Sequence, residues 1–137
     1  VPDFFVFEQT LRDGTFVSAG DFNNDGKDDL VFGGGPGGAP RVLVWDAETL
    51  LTGGAAAADA SPLANFFAGS EDLRSGAVVA AKQLDHDGVA DLVVAVSGPS
   101  GNKVNTYLGS TFAPSGAPPI ATELDVFPGL LSGAFVG

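Results

Sequence analysis

Two short windows gather side-chain oxygens at metal-ligand spacing. Asp21-Phe22-Asn23-Asn24-Asp25-Gly26-Lys27-Asp28-Asp29 reads D-x-N-x-D-G-x-x-D, and Gln83-Leu84-Asp85-His86-Asp87-Gly88-Val89-Ala90-Asp91 reads Q-x-D-x-D-G-x-x-D. Oxygens at the first, third and fifth positions of so tight a loop converge, and glycine at the sixth permits the sharp reversal. A backbone carbonyl at the seventh position and a carboxylate at the ninth complete the shell. Such a donor set suits a hard cation that takes roughly six to eight oxygens, Ca²⁺ before Mg²⁺. Seven of the 17 acidic residues (Asp21, Asp25, Asp28, Asp29, Asp85, Asp87 and Asp91) fall in these windows, so the acidity is focused rather than spread as a solvating coat. An EF-hand is excluded, because the twelfth position from Asp21 is Phe32 where a bidentate Glu is needed. An Asx-turn set, in which Asp and Asn bond their own backbone, is the plainer rival. Two copies at equivalent places favour calcium over it. Each loop offers three carboxylates and one neutral amide, Asn23 in the first and Gln83 in the second. Gln83 is a longer, uncharged donor at the first position, and Asp28 adds negative field to the first loop, so the first site is expected to be the tighter.

Other chemistry is poorly provided for. Nucleophilic and acid–base catalysis need a nucleophile with an oriented base or a tuned pair of acids. The single His, His86, stands at an outward position of a loop, and there is no Cys. The carboxylates could form a glycosidase pair, but metal ligation already accounts for their spacing. The Gly33-to-Gly38 run lacks the Lys-Ser/Thr and the helix of a phosphate cradle, and its counterpart Ser97 to Gly101 is degenerate, so a turn between strands is expected. No enzymatic activity is expected.

The chain's 137 residues carry Asp+Glu 17 against Lys+Arg 6, a net charge of -11. That balance argues against nucleic acid and anionic membrane surfaces as partners and points to cations. Without Cys, neither disulfides nor thiolate metal sites are possible, and any metal must be held by oxygen. No apolar run approaches the roughly 20 residues of a membrane span, and no basic-then-apolar leader opens the chain. The absence of Met, initiator included, suggests a mature or excised segment of a secreted or cell-surface protein.

The elements that must hold the loops emerge from self-similarity. Sliding the chain by 62 places puts Phe4-Phe5 on Phe66-Phe67, Leu11-Arg12 on Leu73-Arg74, Gly14 on Gly76 and Val17 on Val79. The same shift puts Asp25-Gly26 on Asp87-Gly88 and Asp29-Leu30-Val31 on Asp91-Leu92-Val93. Repeat one spans about 14–75 and repeat two about 76–132, with partial strands of neighbouring units expected at 1–13 and 133–137. β-Branched and aromatic runs between turn residues predict strands at Thr15–Ala19, Asp29–Gly33, Arg41–Asp46 and Ala64–Phe67. Their counterparts are Ala77–Ala81, Asp91–Val96, Lys103–Leu108 and Glu123–Phe127, so each repeat has four strands. Successive apolar positions, as in Leu30-Val31-Phe32, suit strands covered on both faces, which stacked sheets would provide. Leu51 to Pro62 is read as a loop, its Ala run bounded too closely by Gly53-Gly54 and Pro62 for a stable helix. Ser110 to Pro119 has the composition of an exposed connection able to carry O-linked sugars. The fold class is therefore all-β, built of tandem four-stranded antiparallel units.

Gly14 to Leu30, Gly-x-Phe-Val-x-x-Gly-Asp-Phe-Asn-x-Asp-Gly-x-x-Asp-Leu, followed by a Gly-rich turn and Arg41-Val42-Leu43-Val44-Trp45, resembles the FG-GAP or integrin-α-type repeat, and the related VCBS-like repeats of bacterial surface proteins. The resemblance implies that each repeat is a blade of a β-propeller, giving about two blades plus partial flanking strands. It further implies that the loop between a blade's first two strands holds Ca²⁺. The ligands carried over are Asp21, Asn23, Asp25, the Lys27 carbonyl and Asp29, then Gln83, where the pattern departs, Asp85, Asp87, the Val89 carbonyl and Asp91. The implied role is an extracellular, calcium-stabilised module for adhesion or for surface, matrix or filament assembly. A lectin-like carbohydrate-binding module, or an accessory domain of a larger secreted enzyme, is the alternative, and a glycan array with and without calcium separates the two. Two blades do not close a ring of about four to eight, so the expected partners are neighbouring repeats of a longer chain or head-to-tail copies, beside glycans or surface proteins. Membrane insertion is not expected.

Overall fold

The structure is a computed structural model that describes residues 1–130 and 133–137. Positions 131 and 132, the last two of the second repeat, lie outside the described residues. The strands are β1 (Thr15–Gly20), β2 (Asp29–Gly34), β3 (Arg41–Trp45), β4 (Ala64–Phe67), β5 (Val78–Lys82), β6 (Asp91–Gly98), β7 (Gly101–Tyr107) and β8 (Thr122–Val126). They form two antiparallel four-stranded sheets, ordered β1-β2-β3-β4 and β5-β6-β7-β8, consistent with propeller-type blades that do not close. Each boundary falls within two residues of the position expected from the repeat. Corresponding pairs share one register: Leu43 faces Phe32 in the first sheet as Asn105 faces Val94 in the second.

The principal core lies between the sheets. Val31, Val42, Val44 and Phe66 of the first meet Val79, Leu92, Val94 and Tyr107 of the second. On its other face the first sheet presents Phe32, Leu43 and Trp45, and these are covered by Phe7, Leu50 and Ala58. β2 and β3 are thus buried on both sides, which is why their apolar residues do not alternate with polar ones. On the second sheet, Leu124 of the edge strand β8 is 52% exposed.

Two segments differ from expectation. Leu51 to Pro62 is not a loop but lies mostly in two short helices, α1 (Ala47–Gly53) and α2 (Ala55–Ala60). Asp46 caps α1 by accepting from the Thr49 amide at 2.9 Å, and Gly54, at φ 81, ends one helix and begins the next. The glycines punctuate the helical segment instead of preventing it, and burial of Leu50 and Ala58 supplies what intrinsic propensity could not. The expected flanking strands at 1–13 and 133–137 are irregular here. Phe4 packs on Trp45 at 5.7 Å and Phe7 is buried beneath the Arg41 guanidinium. The first sheet's outer face is therefore covered from within the chain rather than open.

Candidate metal centre

Each acidic loop joins the first two strands of its sheet, and a buried carboxylate organises it. Asp29, the first residue of β2, accepts from the amides of Phe22 at 3.0 Å and Ala47 at 3.2 Å. Asp91, the first residue of β6, accepts from Leu84 at 2.7 Å, from Gly109 at 3.0 Å and from Asp85 at 3.4 Å. The paired donors are again 62 residues apart, so one side chain in each sheet ties the loop's start to the segment that follows the third strand. Asn24 and His86, the fourth loop residues, both take φ 61, and Gly26 and Gly88 take φ 83 and 91. A residue without a Cβ is favoured at the latter two positions by that left-handed backbone.

The remaining oxygens sit around these turns. Asp21 accepts from the amides of Asp25 at 3.1 Å and Gly26 at 2.8 Å. Asn23 accepts from the Asp25 amide at 3.0 Å, and Asp25 from the Lys27 amide at 2.8 Å. In the second loop Asp85 accepts from Asp87 at 3.1 Å and Asp87 from Val89 at 2.8 Å. Gln83 is exposed at the loop's entrance.

In kind, this donor set fits a hard cation, since it is all carboxylate and amide oxygen. In arrangement it does not form a cage: the carboxylates face backbone amides of their own loop and, for Asp29 and Asp91, of the segment after the third strand, and among the described residues no three acidic or imidazole side chains come together at metal-binding distance. The spacing places the expected ligands of each loop together in one turn, and the geometry is that of an Asx network.

Two first-loop neighbours carry no signal in the D-x-N-x-D-G pattern. Asn23 donates to Asp46 at 3.3 Å, and Lys27 is paired with Glu48. Asp46 and Glu48 enter because α1 begins beside the loop. The Asp-Ala-Glu-Thr run at 46–49, with its acceptor three residues before Thr49, is the helix-start cue that would have placed them. At the corresponding place the second repeat has Leu108 and a short 3-10 turn, Gly109–Thr111.

Electrostatically the first loop is short of positive charge. Burial pushes the Asp29 carboxyl up to about 6, against the pull of the Ala47 and Phe22 amides, and Asp46 and Asp25 push it further the same way. The Thr49 hydroxyl holds Asp46 below its ordinary value. Lys27 is raised chiefly by its hydrogen bond to Glu48, so its charge is already shared with that carboxylate.

Among the described residues no helix is long and apolar enough to cross a membrane. No curated protein and no solved structure matches the chain. Residues 14–45 match the family described as FG-GAP repeat. That stretch runs from the residue before β1 to the end of β3 and contains the whole first acidic loop, and the second sheet repeats its register. Residues 14–45 are thus identified as an FG-GAP repeat.

Proposed function

We propose that this chain is a calcium-stabilised, non-catalytic β-propeller-type module that works outside the cell in adhesion or in surface and matrix assembly. The observation that carries this reading is the duplicated loop. Two sheets place the same Asp at the base of the same turn, with the same two amide partners and the same left-handed fourth residue. A plain hairpin does not require acidic residues at two further ligand positions, and doing so twice in a chain of net charge -11 concentrates repulsion that a divalent cation relieves. In this reading Asp21, Asn23, Asp25, Asp29 and the Lys27 carbonyl hold one ion, and Asp85, Asp87, Asp91, Gln83 and the Val89 carbonyl a second. The ions supply rigidity and charge balance, not a reaction.

Calorimetric titration tests it. Calcium is expected to bind with two sites per chain, and Asp25→Ala is expected to cost more affinity than Gln83→Ala, because it removes a carboxylate from the tighter loop. No heat of binding, or equal effects of the two substitutions, would count against the assignment.

Assembly follows from the open pair of sheets. The first sheet's outer face is closed by Phe7, Leu50 and Ala58, so further blades, from the same chain or from copies, are proposed to join through the second sheet. A single-ring propeller has about four to eight blades. Light scattering with electron microscopy of the 13.7 kDa chain is expected to show a two-fold dimer joined through that sheet, since head-to-tail rings or fibres need a second free face, whereas a monodisperse monomer overturns self-association.

A further inference from the structure

The two acidic loops trace the same turn but differ in one acceptor. Each has an Asp-Gly step at its sharpest point, Asp25-Gly26 and Asp87-Gly88, the second 62 residues after the first. In both, the Asp carboxyl accepts from the amide two residues on, Lys27 in the first loop and Val89 in the second, each at 2.8 Å. That bond folds the carboxyl group back over the peptide that follows it. The Asp amide is itself held in both, by Asn23 at 3.0 Å or by Asp85 at 3.1 Å. The glycine amides are where the loops part. Gly26 donates to Asp21 Oδ2 at 2.8 Å, and Asp21 Oδ1 also takes the Asp25 amide at 3.1 Å. Gln83, the counterpart of Asp21, takes neither, and among the described residues the Gly88 amide has no acceptor.

Asp-Gly is the step at which a chain most readily attacks its own side chain, because glycine carries no Cβ to hinder its nitrogen. Asp87 and Gly88 are both exposed, so water reaches them freely. We propose that Asp87 is a site of spontaneous isoaspartate formation, and that Asp21 shields Asp25 from the same reaction. The Gly88 nitrogen attacks Asp87 Cγ. A C–N bond forms, the carboxyl hydroxyl leaves as water together with the amide proton, and the product is a cyclic succinimide. Water then adds at either ring carbonyl. Cleavage of the new bond restores Asp87, whereas cleavage of the original peptide bond leaves the main chain running through the side-chain carbonyl and frees the α-carboxylate. One water leaves and one enters, and nothing is oxidised or reduced.

In the first loop the same attack requires the Asp25–Gly26 peptide to turn out of its bonds to Asp21. These are charge-assisted, and breaking one of them beforehand slows the step about tenfold. The third Asp-Gly step, Asp13-Gly14, lacks the folded carboxyl: among the described residues no amide is bonded to Asp13, and its Oδ2 lies beside Gly37, where a Cβ would meet it at 3.1 Å. Isomerisation at Asp87 adds a methylene to the backbone of the second loop and shortens the side chain by the same unit, so the bond from Val89 is lost. The reaction needs no cation. Under the calcium reading above, it removes a ligand from the second loop and spares the first.

Ageing the whole chain in EGTA at physiological temperature and neutral pH, followed by peptide mapping with electron-transfer fragmentation, reads each Asp-Gly step separately. EGTA makes the outcome independent of cation binding. Isoaspartate is expected to accumulate at Asp87 about tenfold faster than at Asp25. Gln83→Asp, which returns the missing carboxylate at an exposed position, should slow Asp87 to about the rate of Asp25. Asp21→Gln should speed Asp25 to about the rate of Asp87, and if that variant does not fold, Gln83→Asp still decides. A rate at Asp87 no greater than at Asp25 in the parent chain, or a rate at Asp87 unchanged by Gln83→Asp, overturns the proposal.

Discussion

Replacing Gly33 by Ala is expected to lower the thermal midpoint by roughly 10 °C, a loss of about 3 kcal/mol at this chain length. Gly33 lies in β2 opposite Val42, and a Cβ built there would stand 1.9 Å from the Ala77 carbonyl oxygen and 3.0 Å from Val79 Cγ1. The obstacle at 1.9 Å is backbone, which cannot rotate away as a side chain can, so the two sheets must separate. The same junction is stitched by main-chain bonds from Gly37 to the Arg74 carbonyl, from Gly76 to that of Gly38 and from Ala77 to that of Gly34, at 2.8 to 3.0 Å. Separation strains all three, each worth about 1 kcal/mol net. The equivalent position in the second sheet, Ala95, borders an open cleft with Ser75, Val78 and the 133–135 segment rather than a facing sheet, so a methyl group has room there. Gly137→Ala, with open space around it, is the neutral control. Differential scanning calorimetry decides the matter, and a Gly33→Ala midpoint within about 2 °C of the parent would sink the argument that backbone contact sets the sheet spacing.

Much of that architecture was legible because the repeat supplied its own check. A short apolar run such as Leu92-Val93-Val94 is ambiguous alone, but aligned with Leu30-Val31-Phe32 behind an acidic loop it can only be the same strand in a second unit. The helices at 47–60 were not legible for the converse reason. They have no counterpart in the second repeat, and what stabilises them is burial of Leu50 and Ala58 against the far face of the first sheet. Composition reports the glycines but not the surface waiting to receive the helices. The irregular Phe4–Phe7 segment follows the same logic. Strand residues without a strand partner gain more by packing their rings on Trp45 and under Arg41 than by extending.

The acidic loops were legible in position and in conformation, down to the glycine that must turn left. Spacing places oxygens in one turn, but it does not say what each oxygen faces. Asp21, Asp25 and Asp29 sit within reach of unpaired loop amides, and an amide a few ångströms away is an adequate partner for a carboxylate. The contribution of Asp46 and Glu48 was hidden because it depends on where α1 starts. The polar pair Asn105 and Tyr107 was visible in principle in the same alignment that revealed the repeat, as a departure from Leu43 and Trp45 at core positions.

Chelation of calcium is expected to lower the melting temperature by roughly 10 °C per strongly occupied site, and to lower it most at neutral pH. A ligand that binds only the folded state stabilises it by RT ln(1 + [L]/Kd), about 2.7 kcal/mol at a hundredfold excess over Kd, and a kilocalorie is worth roughly 3 to 4 °C in a chain of this size. The pH dependence comes from Asp29. Its carboxyl sits at about 6 in the fold against 3.8 when free, so its proton is bound more tightly folded than unfolded. The stability it contributes is fully present below about pH 4 and is lost as pH rises through about 6. Calcium-free protein should accordingly melt lower at about pH 7.5 than at about pH 5, and Asp29→Asn should remove most of that difference. A divalent cation beside the same carboxyl favours its charged form, so saturating calcium should flatten the pH dependence as it raises the midpoint. Scanning calorimetry in EGTA and in millimolar calcium at the two pH values reads every term of this argument. Curves that coincide in EGTA and calcium would exclude the loops as cation sites, and a calcium shift that survives Asp25→Ala undiminished would place the ion elsewhere in the chain.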